Sequence, residues 1–383
     1  MIRVLFLVQS LHQGGAERQL VTLLQGLDKK SFHPVVVTYY PGGKWERDVE
    51  EIPGVDLYSI GLGSRFDFAG MILRLGKLIR KIQPDIVYGL LGDACLLALL
   101  HGRLLGRGKV VWGLRASNMD FSRYSRTSGW VYRLSAKLSR YADRIISNSR
   151  AGLQYHQRRG YYPGRMVVIP NGIDVNYFRP CPEKGGALRE ELGVDASMPI
   201  IGRVGRLDPM KDYRTFLAAA GIIAQKTEGL RFLVAGGGAA ENVQEMQALS
   251  RDLGLAHRIV WLGAREDLPT IYSACSFTVS SSAFGEGFPN VVAESLSCGV
   301  PCVATDVGDS AMIIDNKDCI VPPENPEALA NGWERMLNLS AGERTKLGKA
   351  GRQRIIDHFS QSVMVEATEN IFRDMMPLND GGG

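Results

Sequence analysis

The stretch Phe284-Gly-Glu-Gly-Phe-Pro-Asn-Val-Val-Ala-Glu294 links a strand-like apolar run to a helix-like segment and places Glu286 and Glu294 eight residues apart. Pro289 is tolerated in a first helical turn, because its missing N–H would be unpaired there. The free N–H groups of a helix start suit a phosphate, and ionised carboxylates accept hydrogen bonds from sugar hydroxyls. The stretch therefore predicts a strand–loop–helix unit with a binding site for a phosphate and sugars, although an ordinary turn with two solvated glutamates has the same spacing.

Short apolar runs alternate with helix-length segments on both sides of this stretch. Near-continuous apolar runs are typical of parallel strands covered by helices on both faces. The alternation predicts an α/β fold with doubly wound parallel sheets and right-handed crossovers. The predicted strands are residues 2–8, 35–38, 55–58, 86–88, 110–114, 144–147, 166–169, 200–204, 231–234, 259–262, 277–280, 301–304 and 319–321. The predicted helices are residues 16–27, 68–82, 94–105, 129–140, 213–225, 241–253, 268–274, 289–298 and 326–337.

The chain of 383 residues is long enough for two domains, and a turn sequence separates its halves. Pro170-Asn-Gly-Ile-Asp174 is turn chemistry, and a polar passage with further Pro and Gly follows it. We expect an N-terminal domain over 1–170, a hinge or linker over 171–198 and a C-terminal domain over 199–359. Helical spacing in the tail predicts two more helices, broken near Ser360, and both could cap the second domain.

The composition, with 45% hydrophobic and 22% charged residues, is that of a folded soluble protein. Six scattered cysteines predict reduced thiols and no zinc site. No apolar run reaches the roughly 18 residues of a membrane span, and the apolar start is too short for a signal sequence. We therefore expect a cytoplasmic protein.

Positive charge is concentrated in residues 101–170, which contain fourteen Lys and Arg against two Asp. Such a field favours an anionic partner: an acidic membrane leaflet, a pyrophosphate-linked substrate or nucleic acid. Residues 65–81 are amphipathic and basic, as in helices on membrane surfaces, although a helix with its apolar side in the core has the same pattern. Basic and aromatic residues that could stack on nucleic-acid bases interleave at Arg123, Tyr124, Arg126, Trp130, Tyr132 and Arg133.

Glycine and basic residues follow predicted strands at several places. Gly14-Gly15 would let a ligand approach the start of the first helix, but G-x-G-x-x-G is absent and no acidic residue ends the second strand, which disfavours a dinucleotide cofactor. Arg206 and Lys211 flank the start of a later helix and could neutralise a diphosphate leaving group. No D-x-D pair occurs in the chain, so we expect protein cations and N–H groups to stabilise the diphosphate without a metal.

Taken together, these pieces resemble the GT4 family of retaining glycosyltransferases, which have the GT-B fold. The resemblance extends over nearly the whole chain. The matching pieces are Gly14-Gly15-Ala-Glu-Arg18, Ile169-Pro-Asn-Gly-Ile-Asp174, Gly205-Arg206 with Lys211, the pair Glu286 and Glu294, and Cys298-Gly-Val-Pro-Cys-Val-Ala-Thr305.

The resemblance implies two Rossmann-like domains that face each other across a cleft, with the last helix, about 360–376, crossing back onto the N-terminal domain. It implies a nucleotide-diphosphate sugar as donor, with a UDP-sugar the expected one, bound by the C-terminal domain. The acceptor would be a lipid-linked or polysaccharide glycan at the N-terminal domain, in cell-surface polysaccharide biosynthesis. Transfer would retain the anomeric configuration and need no metal, and the enzyme could contact the inner face of the membrane.

The resemblance also implies roles for individual residues. Arg206 and Lys211 would bind the diphosphate, Glu286 the transferred sugar and Glu294 the ribose. The implied donor-binding set is Gly14, Gly15, Arg206, Lys211, Gly237, Glu286, Gly287, Phe288, Pro289, Asn290 and Glu294. Many family members carry a histidine where this chain has Arg115, which cannot accept a hydrogen bond and could instead stabilise a phosphate or an acidic group. We group Arg115 with Arg206, Lys211 and Glu286 as the candidate catalytic residues.

Two alternatives to a glycosyltransferase stay open. A sugar-nucleotide epimerase or a phosphorylase could use the same fold, although the motifs match the transferases better and no pyridoxal-phosphate lysine site is evident. A nucleic-acid-binding protein would use the basic stretch but would leave the second half of the chain unexplained, so we expect no nucleic acid among the partners.

Overall fold

The computed structural model describes residues 1–12, 14–61, 67–104, 108–115, 117 and 126–376, and the chain divides into two compact units. Unit 1 contains Met1–Gly172 and Gln361–Gly383. Unit 2 contains Ile173–Ser360. The chain therefore leaves unit 1 once and returns to it for its last helix.

Unit 1 is built on a seven-stranded sheet with the order β3-β2-β1-β4-β5-β6-β7, and its strand pairs are parallel. The strands are β1 (Ile2–Val8), β2 (Phe32–Thr38), β3 (Asp56–Ser59), β4 (Ile86–Leu90), β5 (Lys109–Leu114), β6 (Arg144–Ser147) and β7 (Met166–Val168). The helices are α1 (Gly15–Gly26), α2 (Glu46–Glu50), α3 (Phe68–Ile82), α4 (Gly92–Leu99, continued by a π-helical turn at Leu100–Leu104), α5 (Arg126–Leu138), α6 (Arg150–Arg158) and the final α15 (Gln361–Met375).

Unit 2 repeats this plan with a six-stranded parallel sheet in the order β10-β9-β8-β11-β12-β13. The strands are β8 (Ile200–Val204), β9 (Arg231–Ala235), β10 (Ile259–Gly263), β11 (Phe277–Ser280), β12 (Cys302–Thr305) and β13 (Ile320–Val321). The helices are α7 (Pro182–Glu191), α8 (Tyr213–Lys226), α9 (Ala240–Asp252), α10 (Leu268–Ala274), α11 (Asn290–Ser297), α12 (Ser310–Ile314), α13 (Pro326–Asn338) and α14 (Ala341–Phe359).

Both sheets are doubly wound, and each reverses its winding at one place. The reversal falls between β1 and β4 in unit 1 and between β8 and β11 in unit 2. Loops leave the carboxyl ends of the two strands in opposite directions there, which opens a crevice where ligands bind in such folds. The predicted α/β class with two Rossmann-like halves is confirmed.

The last two helices belong to different units. Helix α14 contributes the buried Ile355 and Phe359 to the core of unit 2. Helix α15 contributes Phe372, which is fully buried in unit 1 with its ring centroid 5.9 Å from that of Phe32 and 6.1 Å from that of Tyr88. The break at Ser360 thus separates helices of two different cores.

Residues 173–198, which the sequence predicts as a hinge, are part of unit 2 and contain helix α7. A Cβ on Gly185 would collide with the main chain of Ser273, so this glycine lets α7 approach α10 closely. Arg189 donates to the carbonyl of Ala274 at 2.6 Å and fastens the same contact. Gly185, which resembles a linker glycine in the sequence, therefore serves helix packing.

Helix α3 covers most of the amphipathic stretch 65–81, and residues 65 and 66 lie outside the described ranges. Its apolar side chains Met71, Leu75 and Ile79 are buried in the core of unit 1. The stretch therefore has the pattern of a helix that packs against its own sheet.

No helix among the described residues is both long and apolar enough to cross a membrane. The six cysteines are free thiols. Within the same described part of the chain, no three His, Cys, Asp or Glu side chains gather as a metal-binding group would.

We expect Phe372→Ala to lower the free energy of unfolding by about 3–5 kcal/mol, because it leaves a cavity among three aromatic rings. Urea denaturation measures the change. Glu366→Ala, at an exposed position of the same helix, is the control and should change the stability by less than about 0.5 kcal/mol. Equal effects of the two substitutions would contradict the role of α15 in this core.

Candidate functional site

The crevice of unit 2 joins the loop after β8 to the loop after β11 through an ion pair. Lys211 Nζ lies 2.5 Å from Glu286 Oε1, and the two side chains are only 13% and 8% exposed. A main-chain hydrogen bond of 3.0 Å from Ala283 N to Met210 O connects the same loops. The structure thus brings together a predicted phosphate-binding cation and a predicted sugar-binding carboxylate.

Glu286 is held as a carboxylate by the groups around it. Burial alone would raise its pKa, but the charge and hydrogen bond of Lys211, a hydrogen bond from Ser282 and the charge of Arg203 together bring the pKa below its usual value. The Ser282 hydroxyl donates to Glu286 Oε1 at 2.7 Å. Ser282 was not predicted from the sequence, although its place just beyond the carboxyl end of β11 is a usable signal.

Arg206 lies in the same loop as Lys211 but not in the ion pair. Its side chain is 67% exposed, and its Nη2 atom is 4.0 Å from Asp208 Oδ2. A separation of this size at an exposed position stabilises a protein very little. Arg206 is therefore accessible to an anionic ligand, whereas Lys211 already has a partner.

Glu294 lies in the interior of α11 and is fully buried. The Tyr272 hydroxyl from α10 donates to Glu294 Oε2 at 2.9 Å. Neither Glu286 nor Glu294 is solvated, so the spacing does not reflect an ordinary exposed turn. No sequence motif identifies Tyr272 as the partner of Glu294, because this hydrogen bond joins two different helices. The predicted ribose-binding role of Glu294 stays a prediction.

The residues between the two glutamates form the start of α11. Pro289 is the residue before the first helical turn, which begins at Asn290. Phe288 is buried, and its ring centroid lies 5.5 Å from that of Phe359, so its side chain belongs to the core. The carbonyl of Gly287 accepts a 2.9 Å hydrogen bond from Asp309 N. A ligand at this helix start would therefore meet main-chain groups and not the Phe288 ring.

Two further glycines border this crevice. Gly285 has a φ of +80°, a backbone conformation that favours glycine. Gly237 follows β9 and would meet only Ala264 if it carried a Cβ, at an ordinary contact distance of 3.4 Å. The geometry thus requires a glycine at 285, whereas at 237 it leaves room for a side chain or a ligand.

In unit 1, Gly14 and Gly15 form the start of α1 after the carboxyl end of β1. Gly14 caps the helix in an extended conformation, Gly15 is its first residue, and Gln13 lies outside the described residues. A Cβ on Gly14 would collide with the carboxylate of Glu17. Burial raises the pKa of Glu17. The Glu17 carboxylate therefore occupies the space beside Gly14 at this helix start.

Arg115 follows β5 in unit 1 and binds the turn that ends this unit. Its Nη1 atom donates to Asn171 Oδ1 at 2.8 Å, and Asn171 is only 4% exposed. The Gln19 amide from α1 exchanges hydrogen bonds of 3.0 and 2.9 Å with the carbonyl and N–H of Gly172. The Pro-Asn-Gly motif thus connects β5 and α1. Arg115 belongs to unit 1, whereas the other candidate catalytic residues belong to unit 2.

The basic and aromatic residues predicted as possible base-stacking groups are only partly described. Arg123, Tyr124 and the side chain of Arg126 lie outside the described residues. Tyr132 packs inward, and its hydroxyl is 2.8 Å from His156 Nδ1. Trp130 is 73% exposed, and Arg133 is also exposed.

Two doubly wound parallel sheets, one of them with a cation–carboxylate pair at its point of reversal, place the chain among two-domain α/β proteins with a candidate ligand site at the crevice of unit 2. Residues 13–177 match the family model described as Glycosyltransferase Family 4. Residues 198–339 match the model described as Glycosyl transferases group 1. The two matches cover most of the chain, and the chain belongs to this glycosyltransferase family.

Relatives and solved structures agree with the family. The Escherichia coli UDP-Gal:alpha-D-GlcNAc-diphosphoundecaprenol alpha-1,3-galactosyltransferase is 24% identical over 318 residues, which cover 80% of this chain and 79% of that protein. The Mycobacterium tuberculosis D-inositol 3-phosphate glycosyltransferase is 29% identical over 54% of this chain and 43% of that protein. The Anabaena HepE complex with UDP superimposes with a TM-score of 0.84 at 22% identity, covering 97% of this chain and all of that one, and therefore shares the fold.

The ion pair predicts a pH dependence of stability. With Lys211 in place the pKa of Glu286 is below its usual value, so its contribution to stability is present at neutral pH and is lost only as the pH falls through that low pKa. In Lys211→Met the buried carboxylate loses its cation and burial dominates. The pKa of Glu286 should then rise, and the free energy of unfolding at pH 7 should be about 3 kcal/mol lower than that of the wild type.

Urea denaturation between pH 5 and pH 8 tests this expectation. Lys211→Met should become more stable as the pH falls, because Glu286 takes up a proton, whereas the wild type should not. Lys226→Met removes a lysine from an exposed pair with Glu334 and is the control with little effect. A Lys211→Met profile parallel to that of the wild type would contradict the coupling.

Proposed function

We propose that this glycosyltransferase moves a sugar from a nucleoside-diphosphate sugar to a lipid-linked or glycan acceptor. The observation that carries the proposal is the pairing of Lys211 and Glu286 at the crevice of unit 2. An ammonium group suits a diphosphate, and an ionised carboxylate suits the hydroxyls of the transferred sugar. A UDP-sugar is the proposed donor, because the Anabaena HepE relative was solved with UDP and with UDP-glucose.

Each charged residue of the proposed donor site has its own role. Exposed Arg206 receives the diphosphate first, and Lys211 shares its charge between Glu286 and the phosphate that becomes the leaving group. The start of α11 adds main-chain N–H groups, which also favour a phosphate. Glu294 takes the ribose, which requires its buried carboxylate to become accessible when the donor binds.

The proposed reaction retains the configuration of the anomeric carbon. The acceptor oxygen bonds to the anomeric carbon on the face from which the phosphate departs, and the bond between that carbon and the phosphate oxygen breaks. The acceptor proton passes to the departing phosphate oxygen. Arg206 and Lys211 stabilise the negative charge that grows on the diphosphate, so we propose that no metal ion takes part.

The proposed acceptor carries a phosphate. The E. coli and M. tuberculosis relatives are named for a diphosphoundecaprenol-linked sugar and for inositol 3-phosphate. Residues 101–170 supply a positive field of fourteen Lys and Arg that would attract such an acceptor to unit 1. Arg115, on the carboxyl side of β5, is proposed to contact it. Cell-surface polysaccharide synthesis is the pathway that fits this substrate class.

We expect Arg206→Ala and Lys211→Ala each to lower the turnover of sugar transfer by about 10²–10³, because each removes a charge that acts most strongly as the diphosphate leaves. Thermal-shift screening of UDP-, GDP- and ADP-sugars selects the donor, and product formation measures the rate. Arg214→Ala is the control, since Arg214 is also an exposed arginine of unit 2 beside a carboxylate, that of Glu245.

The same assay tests the remaining parts of the mechanism. Addition of EDTA should leave the rate unchanged, and the product should keep the donor's anomeric configuration by NMR. Full turnover by both variants would contradict the assigned roles. Epimerisation of the donor without an acceptor would favour the alternative enzyme class.

A second part of the proposal concerns the membrane face, where a lipid-linked acceptor would be found. We propose contact through the α5 surface, defined as Trp130, Arg133, Leu134 and Lys137 of α5 with Arg140 and Tyr141 of the 3₁₀ turn that follows it. Trp130 is 73% exposed, Leu134 49% and Tyr141 55%, and the three cations are exposed as well. The sequence contains no Asp or Glu between Asp120 and Asp143. Large apolar side chains among cations suit the interface of an anionic leaflet.

Flotation with vesicles tests the α5 surface. The wild type should float with phosphatidylglycerol vesicles at low salt, less so at high salt, and not with phosphatidylcholine vesicles. The double substitution Trp130→Ala and Leu134→Ala should weaken binding about ten-fold or more. Leu73→Ala removes a leucine of α3 that is 66% exposed and is the control. Absence of flotation by the wild type at low salt would exclude this membrane contact.

A further inference from the structure

Arg203 is a charged side chain inside strand β8 that is fully buried. It forms no ion pair with any carboxylate among the described residues, although burial of an unpaired charge costs several kcal/mol. A position in the middle of a parallel strand would ordinarily hold an apolar residue. The charge therefore needs an explanation beyond packing.

The N–H groups of Arg203 are directed at both ends of the loop that carries Arg206 and Lys211. Nη1 donates to the carbonyl of Val204 at 2.9 Å, and Nη2 donates to the carbonyl of Lys211 at 2.7 Å. A single guanidinium thus connects the residue before the loop to Lys211, where the loop ends.

Tyr213 contacts the same loop, and we call Arg203 and Tyr213 together the clamp. The guanidinium carbon of Arg203 lies 4.8 Å from the centre of the Tyr213 ring, an arrangement in which the cation and the ring attract each other. The Tyr213 hydroxyl donates to the carbonyl of Gly205 at 2.6 Å. Arg203 and Tyr213 together hold the loop at Val204, Gly205 and Lys211.

The end of the loop is a place where the chain needs such support. Asp212 has a φ of +44°, in the left-handed region that residues with a Cβ rarely adopt. The Ser281 hydroxyl lies 3.0 Å from the carbonyl oxygens of both Lys211 and Asp212, so it can share only part of its hydrogen bond with each. Without Arg203, the Lys211 carbonyl would depend on Ser281 alone.

The charge of Arg203 also reaches the ion pair. It is one of the influences that lower the pKa of Glu286, beside Lys211 and Ser282. An uncompensated charge acts over a longer distance in the interior than it does in water. The crevice therefore contains one more positive charge than its exposed side chains suggest.

We propose that Arg203 is a positioning residue of the donor site, which fixes the main chain of Lys211 beside Glu286 and adds a buried positive charge beneath the diphosphate. The proposal deepens the proposed function and rests on it for the identity of the diphosphate. The clamp on Lys211 and the effect on Glu286 can be measured without any substrate.

Two substitutions separate geometry from charge. Arg203→Met removes both, and we expect the donor KM to rise and kcat to fall, each about 10- to 100-fold, as for the loss of hydrogen bonds from a charged group. Arg203→Lys keeps the charge but cannot hold two carbonyls and the Tyr213 ring with one planar group. It should restore KM to within a few-fold of the wild type and leave kcat reduced.

Tyr213→Phe and Arg231→Met complete the set. Tyr213→Phe keeps the buried charge and releases only Gly205, so it should lower kcat less than Arg203→Met does. Arg231→Met removes an arginine from the neighbouring strand β9, where its guanidinium contacts the His257 carbonyl, and should leave KM and kcat unchanged.

A substrate-free measurement keeps this proposal distinct from the proposed function. Carbon-13 NMR of labelled glutamate, with Glu286→Gln to assign the signal, should show the Glu286 titration moved to higher pH in Arg203→Met but not in Arg231→Met. Pyrophosphate affinity by calorimetry should fall about ten-fold or more in Arg203→Met. If the wild type binds neither pyrophosphate nor UDP, the proposed donor site is wrong. The NMR result then decides by itself whether Arg203 positions Lys211 beside Glu286.

An unchanged Glu286 titration in folded Arg203→Met, together with unchanged kcat and KM, would overturn the proposal. If Arg203→Met does not fold, Arg203→Lys and Tyr213→Phe decide it. Wild-type kinetics in both would show that Arg203 serves stability alone.

Discussion

An ion pair between Lys211 and Glu286 connects two loops at the point where the sheet of unit 2 reverses its winding. The constraint behind it is topological. Strands β8 and β11 lie side by side although 72 residues separate Val204 from Phe277 in the chain, and their loops leave in opposite directions. The Ser282 hydroxyl donates to Glu286 at that junction, and α11 begins four residues after Glu286.

The pair also accounts for the unusual residues behind it. A carboxylate with little exposure needs a cation, and a cation on a loop needs a fixed main chain to stay in place. Ser281 and Arg203 hold the carbonyl of Lys211, and Tyr213 holds that of Gly205. The buried arginine is thus understandable only from the loop that it supports, and not from its own strand.

Unit 1 depends on a different feature, because the end of the chain returns to it. Helix α15 inserts Phe372 among aromatic rings from β1, β2 and β4, so the core of this unit is complete only with residues from the end of the chain. The turn at Asn171 and Gly172 is bound by Arg115 and Gln19, so the place where the chain leaves the unit is also fixed. Positive charge and exposed aromatic residues meanwhile collect on the α5 surface.

The sequence alone determined the local elements, because hydrophobic periodicity and turn residues act over a few neighbours. The thirteen predicted strands are present, and the Glu286-to-Glu294 stretch is the predicted loop and helix start. Helices α2, α6, α7 and α12 were missed. Helix α7 was missed because Gly185 resembles a linker glycine, whereas it allows close contact between helices. The tertiary structure alone decided that Lys211 meets Glu286, that Tyr272 binds Glu294 and that Arg203 clamps Lys211. These contacts join residues far apart in the chain, and the physical reason is that only the winding of the sheet determines which strand ends become neighbours.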